Sequence, residues 1–491
     1  MAREAIGRHR PRTAPDPGAP ILTSEQRRAV ALREAFERLG PLYTKVGQML
    51  STRPDLVSAT VISELEKLHD QALVLPFSDM ETVLEEEFGR SWRNRFSFID
   101  TQNPLGTASL AQTYRAGLTT GETVVVKIQR PGIQAVMDDD MRMMRRSARI
   151  IAKGAPRFDA TIGIETMLSV IFDAMRPELD FQVEAHNMDA ARPMASTFDR
   201  LSVPYAVDAT RRVLIQTPAP GKSIRDVDLD DFKDTDRIAI GQDLLAFMYR
   251  GYFVENFFHA DPHPGNIFID PDEGATIIDW GMVGRVDRGM SMSLALILIC
   301  IAENDGLGAA KAWIEMGNPT AWANLTGFVT DISILVPKIA KATLGELNFG
   351  TILTEALKSS TKRGIQTSPM VSILGKSFAN IDGSIRYLAP EIAVTEVFTR
   401  ELSGILRHFA LGALSEGQAA RAALDLIISA GTAPTDSRQI LRDLANQKLG
   451  IHITALHQRS RIPGARSDES PRLLLLAVAA LVYHALRERR R

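Results

Sequence analysis

The segment Phe258-His259-Ala260-Asp261-Pro262-His263-Pro264-Gly265-Asn266, with Asp279-Trp280-Gly281 beginning thirteen residues after the asparagine, decides the reading of this chain. It sets out a carboxylate, an amide five residues on, and a second carboxylate two residues ahead of a glycine. Between them, Ile267 to Asp270 reads as a strand, Pro271-Asp272-Glu273-Gly274 as a tight turn, and Ala275 to Ile278 as the returning strand. Asp, Pro, Gly and Asn are ordinary turn residues, so His-Ala-Asp alone carries little. A carboxylate closing an apolar strand is different, because it is costly in a core unless a cation or hydrogen bonds meet it.

The same order of groups surrounds Mg·ATP in protein-kinase-like folds, where one Asp orients the nucleophile while an Asn and a second Asp hold the metal. Here those places fall to Asp261, Asn266 and Asp279. Magnesium prefers oxygen ligands and keeps several waters, so two protein oxygens and the nucleotide phosphates suffice. Upstream, the small residues Gly106-Thr107-Ala108-Ser109 precede a strand, Gly121-Glu122 makes a hairpin turn, and Thr123 to Ile128 is a strand carrying Lys127. A loop of small residues followed by a strand lysine is how a kinase N-lobe covers phosphates and brings a cation to them. The bland alternative for Lys127 is an edge-strand lysine. The Gly-x-Gly-x-x-Gly pattern is absent, and side-chain methyls limit how closely this backbone can wrap phosphates.

No acidic partner for Lys127 stands out on the next helix, where Asp138-Asp139-Asp140 lies. A long helical section intervenes before Glu178-Leu179-Asp180-Phe181-Gln182-Val183-Glu184. If that segment is helical, Asp180 and Glu184 share a face and Glu178 lies to one side. Three such carboxylates repel unless cations neutralise some of them, and Lys127 and Lys45 are the candidates. A solvent-facing acidic helix start is the alternative.

Toward the N-terminus a helical pattern starts at Ser24 and runs through Leu39, Gly40-Pro41 interrupts it, and a second helix follows through Leu50. On the second, Lys45 and Gln48 flank the apolar arc of Leu42, Val46, Met49 and Leu50. Taken alone, that is a solvated edge. Gly47 in mid-helix costs up to about 1 kcal/mol relative to Ala, which predicts a close neighbour there. Val61 to Leu68 and Phe77 to Phe88 read as further helices. Arg211 to Gln216 is a strand, Pro218 to Gly221 a link between lobes, and Asp243 to Phe257 an apolar helix leading into the opening segment. Beyond Asp279 the chain reads as almost entirely helical.

At 491 residues the chain is too long for one compact core. Net charge of −2 gives no argument for nucleic acid. A single cysteine, Cys300, excludes an intramolecular disulfide framework and fits a buried thiol in reducing surroundings. The arginine- and proline-rich start lacks the apolar core of a secretory signal. The apolar segment from Leu473 to Leu486, closed by Arg487 to Arg491, is shorter than the roughly 20 residues that span a bilayer. It either meets a membrane surface or packs on the helical lobe. The expected organisation is a tail over 1–20, a helical extension over 21–100, a kinase-like N-lobe with a helical insert over 101–216, a helical C-lobe over 217–440 and a tail over 441–491. The fold class is thus α+β, bilobal and protein-kinase-like.

With these residues in place, the chain resembles the UbiB (AarF) family of atypical, protein-kinase-like proteins, whose mitochondrial members support coenzyme Q biosynthesis. Lys45-Val46-Gly47-Gln48 is similar to that family's Lys-x-Gly-Gln, Gly106 to Gln112 to its alanine-rich loop, and Glu178-Leu179-Asp180 to its Glu-x-Asp. Glu184 stands where the family pairs a glutamate with the strand lysine, and His259 to Asn266 with Asp279-Trp280-Gly281 match its catalytic and metal elements. The resemblance implies catalytic roles for Asp261, Lys127, Glu184, Lys45, Gln48, Glu178 and Asp180. It implies nucleotide contacts from Gly106, Thr107, Ala108, Ser109 and Lys127, and magnesium bound by Asn266 and Asp279. It further implies that the Lys-x-Gly-Gln helix covers the side where a protein substrate would dock, giving an ATPase or small-molecule kinase with ATP and Mg²⁺. A nucleotide-binding scaffold without turnover is the alternative, and a conventional Ser/Thr kinase comes third. Expected partners are a nucleotide, an isoprenoid lipid or quinone precursor, a membrane surface and a second copy of the chain. The expected location is cytoplasmic, at or anchored in the inner face of the cell membrane.

Overall fold

The computed structural model describes residues 23–51, 53, 57–68, 73–154, 164–340 and 349–413. Both tail segments, 1–20 and 441–491 with its apolar stretch from Leu473 to Leu486, lie outside the described residues. Among the described residues no helix is long and apolar enough to cross a membrane.

Helix α1 (Ser24–Leu39) starts from a capping box. Gln26 N donates to the Thr23 hydroxyl at 3.2 Å, and Thr23 N donates back to the Gln26 side chain at 2.8 Å. Gly40 ends it, and α2 (Pro41–Ser51) carries proline in its first turn, where a missing N–H costs nothing. Helix α3 (Ala59–Leu65) packs against α1 and α2. A Cβ on Gly47 would lie 2.6 Å from Cδ2 of Phe36 and press on Leu68 as well, so only glycine lets α2 settle this closely onto α1 and the segment just after α3.

Helix α4 (Phe77–Phe88) and strand β1 (Phe96–Ile99) precede residue 100, yet they pack with the sheet rather than with α1 to α3. The sheet continues with β2 (Gly106–Thr107), β3 (Ala111–Leu118) and β4 (Thr123–Gln129), joined later by β6 (Ala206–Ala209) and β7 (Val213–Gln216). Its order is β1-β3-β4-β7-β6, with β2 on β3 and every pair antiparallel. Strand alternation sends Val124, Val126 and Ile128 against Met80, Val83 and Leu84 of α4. Lys127 therefore points to the opposite face, and its strand is central, with Thr113 and Leu214 on either side. The edge-strand alternative for this lysine is overturned. Helices α5 (Ile133–Gly154) and α6 (Ile164–Met175) turn Met137, Met141 and Phe172 into the core built by α1, α2 and α3.

Helix α7 (Phe181–Ala195) leads back to the sheet. The helical lobe begins after β8 (Lys222–Ser223) with α8 (Asp234–Arg250). The apolar helix expected to reach Phe257 stops seven residues earlier. The chain passes through one π-helical turn, Gly251–Glu255, and a left-handed Asn256 (φ 54°) into strand β9 (Phe257–His259). Glycine at 251 permits this return, since a Cβ there would meet the Phe257 carbonyl oxygen at 2.8 Å. Strands β10 (Ile267–Asp270) and β11 (Gly274–Ile277) form the hairpin, with β8 antiparallel on one side and β5 (Leu201–Ser202) parallel on the other. Strand β12 (Val283–Arg285) pairs with β9, Val283 opposite His259, which brings both ends of the hairpin to one place. Helices α9 (Arg288–Ala302), α10 (Gly306–Met316), α11 (Leu325–Ala340), α12 (Phe349–Lys362), α13 (Pro369–Leu388) and α14 (Val394–Ala413) complete the lobe. The result is a mixed α/β, largely helical fold, with Tyr252, Phe258, Trp280 and Phe378 at its aromatic centre.

Candidate active site

Lys127 Nζ lies 3.0 and 2.9 Å from the two carboxylate oxygens of Glu184 and 2.9 Å from Oδ1 of Asp279. Its ammonium also sits 5.2 Å from the Phe181 ring, so strand β4 and helix α7 meet at this charge. Burial pulls the Lys127 pKa down, but Asp279 and Glu184 outweigh it and hold the group cationic. Burial pushes Glu184 up to about 7, with Lys127 pulling the other way. The two-oxygen contact, whose geometry favours ionised groups, makes the ion pair the better description at neutral pH.

Asp279 occupies the left-handed region at φ 61°, a conformation that Asp tolerates better than most residues and that is often found at functional sites. Its side chain is 47% exposed, open to the cleft. Burial would raise its carboxyl, but Lys127, and then Lys45, hold it well below the usual carboxylate range. Trp280 fixes this turn from beneath. Its Nε1 donates to Ile277 O at 3.0 Å, its carbonyl accepts from Asn187 Nδ2 of α7 at 2.9 Å, and its ring stacks on Phe257.

The loop before the hairpin is organised by His259, which is fully buried. Asp261 N donates to its Nδ1 at 3.1 Å, so Nε2 carries the proton and donates to Ile278 O at 3.1 Å. Burial lowers the pKa of this ring and keeps it neutral. One histidine thereby ties the residue before Asp279 to the backbone of Asp261. Asn266 Nδ2 donates to Asp261 O at 3.1 Å, which leaves its amide oxygen as the atom available to a cation. Burial would raise the Asp261 carboxyl, but Lys376, His263 and Lys45 bring it down to about 2.

A cavity of about 610 Å³ opens between α2, α3, this loop, α12 and α13. Lys45, Gln48, Glu178, Asp261, Asn266 and Asp279 all line it. Lys45 Nζ lies 3.5 Å from Glu178, both side chains largely buried. Gln48 Nε2 donates to Leu68 O at 3.1 Å and so ties α2 to the segment just after α3. Asp180 goes elsewhere. Residues Arg176–Leu179 form a 3-10 turn and Asp180 is the N-cap of α7, accepting from Gln182 N at 3.0 Å. The shared helical face for Asp180 and Glu184 is therefore corrected: helix starts only at Phe181, and the cap uses the Asp180 carboxylate. Gly106, Thr107, Ala108 and Ser109 form a tight hairpin that does not line the cavity. Ala108 N donates to Ala111 O at 2.9 Å, and Arg130 Nε donates to Ala108 O at 2.9 Å.

The oxygen donors suit magnesium. Asp279 presents a charged oxygen and Asn266 a neutral one, and among the described residues no group of three or more His, Cys, Asp or Glu could cage an ion by itself. Phosphate oxygens and water would complete such a shell.

Residues 67–312 match the sequence profile of the ABC1 atypical kinase-like domain. The chain is 32% identical over 384 residues to a "Probable protein kinase UbiB" of Azotobacter vinelandii, covering 76% of this chain and 70% of that protein. This chain belongs to the UbiB family of ABC1 atypical kinase-like proteins. The uncharacterized protein slr0889 of Synechocystis is 30% identical over 365 residues, covering 72% of this chain and 89% of that protein. The fold is similar to that of Rv3197 from Mycobacterium tuberculosis, solved as an erythromycin complex, at TM-score 0.52 and 22% identity over 67% of this chain and 83% of that one.

Two residues of this UbiB-family chain reach the site without a signal strong enough to be found in sequence. Lys376 Nζ lies 3.0 Å from Asp261 Oδ2, and Asn380 Nδ2 donates to Asp261 Oδ1 at 2.6 Å. Both sit on α13, more than a hundred residues downstream of their partner. Their spacing of four was the available hint, since it puts both on one helical face.

Proposed function

We propose that this chain binds a magnesium nucleotide and hydrolyses ATP or transfers its phosphoryl group, in support of isoprenoid-quinone or related lipid metabolism. The observation that carries this reading is the convergence of Lys127, Glu184 and Asp279 within hydrogen-bond distance, beside a cleft holding Asp261 and Asn266. Asn266 and Asp279 would hold magnesium, which when bound neutralises charge developing on the phosphates. Lys127, kept cationic and aimed by Glu184, contacts the phosphates. Asp261 is a carboxylate at neutral pH, and with its pKa near 2 it acts chiefly by accepting a hydrogen bond that orients the nucleophile. Lys45 and Gln48 belong to the wall that α2 raises over the cleft, which favours water or a small acceptor over a folded protein substrate. The link to quinone or lipid metabolism rests on family kinship alone.

One feature supports the alternative of a nucleotide-binding scaffold: the hairpin Gly106 to Ser109 is tight, lacks the glycine pattern and stands outside the cavity. A nucleotide-dependent thermal shift run beside a phosphate-release assay separates the two. Magnesium-dependent release of phosphate supports the enzyme, while a shift without release supports the scaffold. Quinone and lipid profiling of a deletion strain tests the metabolic half, and an unchanged profile would remove it.

A further inference from the structure

Helix α13 presents four polar side chains to the segment His259–Pro262. Lys376 and Asn380 take one carboxylate oxygen of Asp261 each, at 3.0 and 2.6 Å. The Ser377 hydroxyl donates to His259 O at 2.7 Å, and the Ser384 hydroxyl donates to Pro262 O at 2.9 Å. Positions 376, 380 and 384 fall on one helical stripe, with Ser377 beside it. Tyr252, itself fully buried, braces Ser377 from behind at 2.8 Å. The serines hold the backbone of the loop, while the lysine and asparagine hold the carboxylate.

A carboxylate gripped on both oxygens cannot rotate freely. The Lys376 and Asp261 side chains are only 21% and 18% exposed, so water competes little for these contacts. Both residues also line the cavity in which Asp261 would meet a nucleophile.

We infer that α13 is an active-site element and that Lys376 and Asn380 are positioning residues that set the orientation of the Asp261 carboxylate. This rests on the reading of Asp261 given under the proposed function. Misaiming a catalytic group by about 1 Å costs on the order of 100-fold in rate. Lys376→Met and Asn380→Ala should therefore each lower kcat by roughly 10- to 100-fold. The KM for the nucleotide should stay at the wild-type value, because neither residue touches Lys127, Asn266 or Asp279 in the structure. Lys376→Arg, which can still donate to the carboxylate, should recover part of the loss.

The experiment compares wild-type full-length chain with the three variants by steady-state phosphate release, with thermal midpoints and hydrogen exchange of residues 259–263 on the same samples. Lowered kcat at unchanged KM, with recovery in Lys376→Arg, supports the inference. Unchanged turnover in Lys376→Met and Asn380→Ala overturns it, as does an equal loss in Lys376→Arg. A wild-type chain that releases no phosphate refutes the ATP-hydrolysis half of the proposed function instead. In that case hydrogen exchange decides: faster exchange at 259–263 in both variants retains the grip of α13 on the loop, and unchanged exchange overturns it.

Discussion

Replacing Lys127 by Met should destabilise the chain in a manner that depends on pH and can be reversed by a second change. The substitution removes the ammonium that lies 3.0 and 2.9 Å from Glu184 and 2.9 Å from Asp279. Glu184 is 1% exposed, so it loses its partner without gaining water. Breaking a buried pair from one side costs about 3–5 kcal/mol, because a charge is left uncompensated. Glu184 has an escape, since burial already pulls its pKa up to about 7 and loss of Lys127 lifts it further. Protonation caps the cost, placing it near the lower end, about 3 kcal/mol at pH 7. The sign follows from linkage. A carboxyl whose folded pKa lies above its unfolded value of 4.5 stabilises at low pH, and that contribution is lost as pH rises through the folded pKa. In the variant that loss extends to higher pH than in the wild type, at up to about 1.4 kcal/mol per pH unit, whereas in the wild type it levels off roughly one unit above the folded pKa of about 7. Urea denaturation at pH 7, 8 and 9, followed by tryptophan fluorescence, reads both the offset and the slope. Adding Glu184→Gln removes the buried charge, so the double variant should regain most of the stability and lose the slope. Equal denaturation midpoints for single and double variants would refute the reasoning.

Two further substitutions test neighbouring elements. Asp180→Ala removes the cap of α7 and should cost about 1 kcal/mol in urea denaturation, and a loss of nucleotide turnover far beyond what that implies would return Asp180 to the site. Gly47→Ala should lower stability by about 1 kcal/mol, since overpacking of 1–3 kcal/mol against Phe36 and Leu68 outweighs a helix-propensity gain of up to about 1 kcal/mol; a more stable variant would show that those side chains yield without cost.

The hairpin that carries Asn266 and Asp279 was legible in the sequence because its determinants are local. The apolar run Ile267-Phe268-Ile269, the turn Pro271 to Gly274 and the return to Ile277 leave little freedom. Lys127 was legible as a strand lysine, but its place in the middle of the sheet depended on β7, nearly ninety residues on. A shared face for Asp180 and Glu184 hung on helical spacing from Glu178 onward, but Pro177 sits in a 3-10 turn and the helix proper begins at Phe181. The end of α8 was missed because the apolar run Tyr252-Phe253-Val254 follows it directly and resumes at Phe257, while Gly251 and Asn256 mark the change of backbone. No motif in the sequence marks Lys376 and Asn380. Their meaning lies in the packing of α13 on β12 and on the loop after His263, a contact that no local pattern encodes.

The most direct test of the proposed chemistry is magnesium-dependent phosphate release by full-length Asp279→Asn beside the wild type. Asparagine keeps the size of the side chain and removes the charge that would meet the metal, a contribution of several kcal/mol. Magnesium-dependent release by the wild type, reduced at least roughly 100-fold in the variant, is the expected result. Turnover in Asp279→Asn at the wild-type rate and with the same magnesium dependence would contradict the assignment.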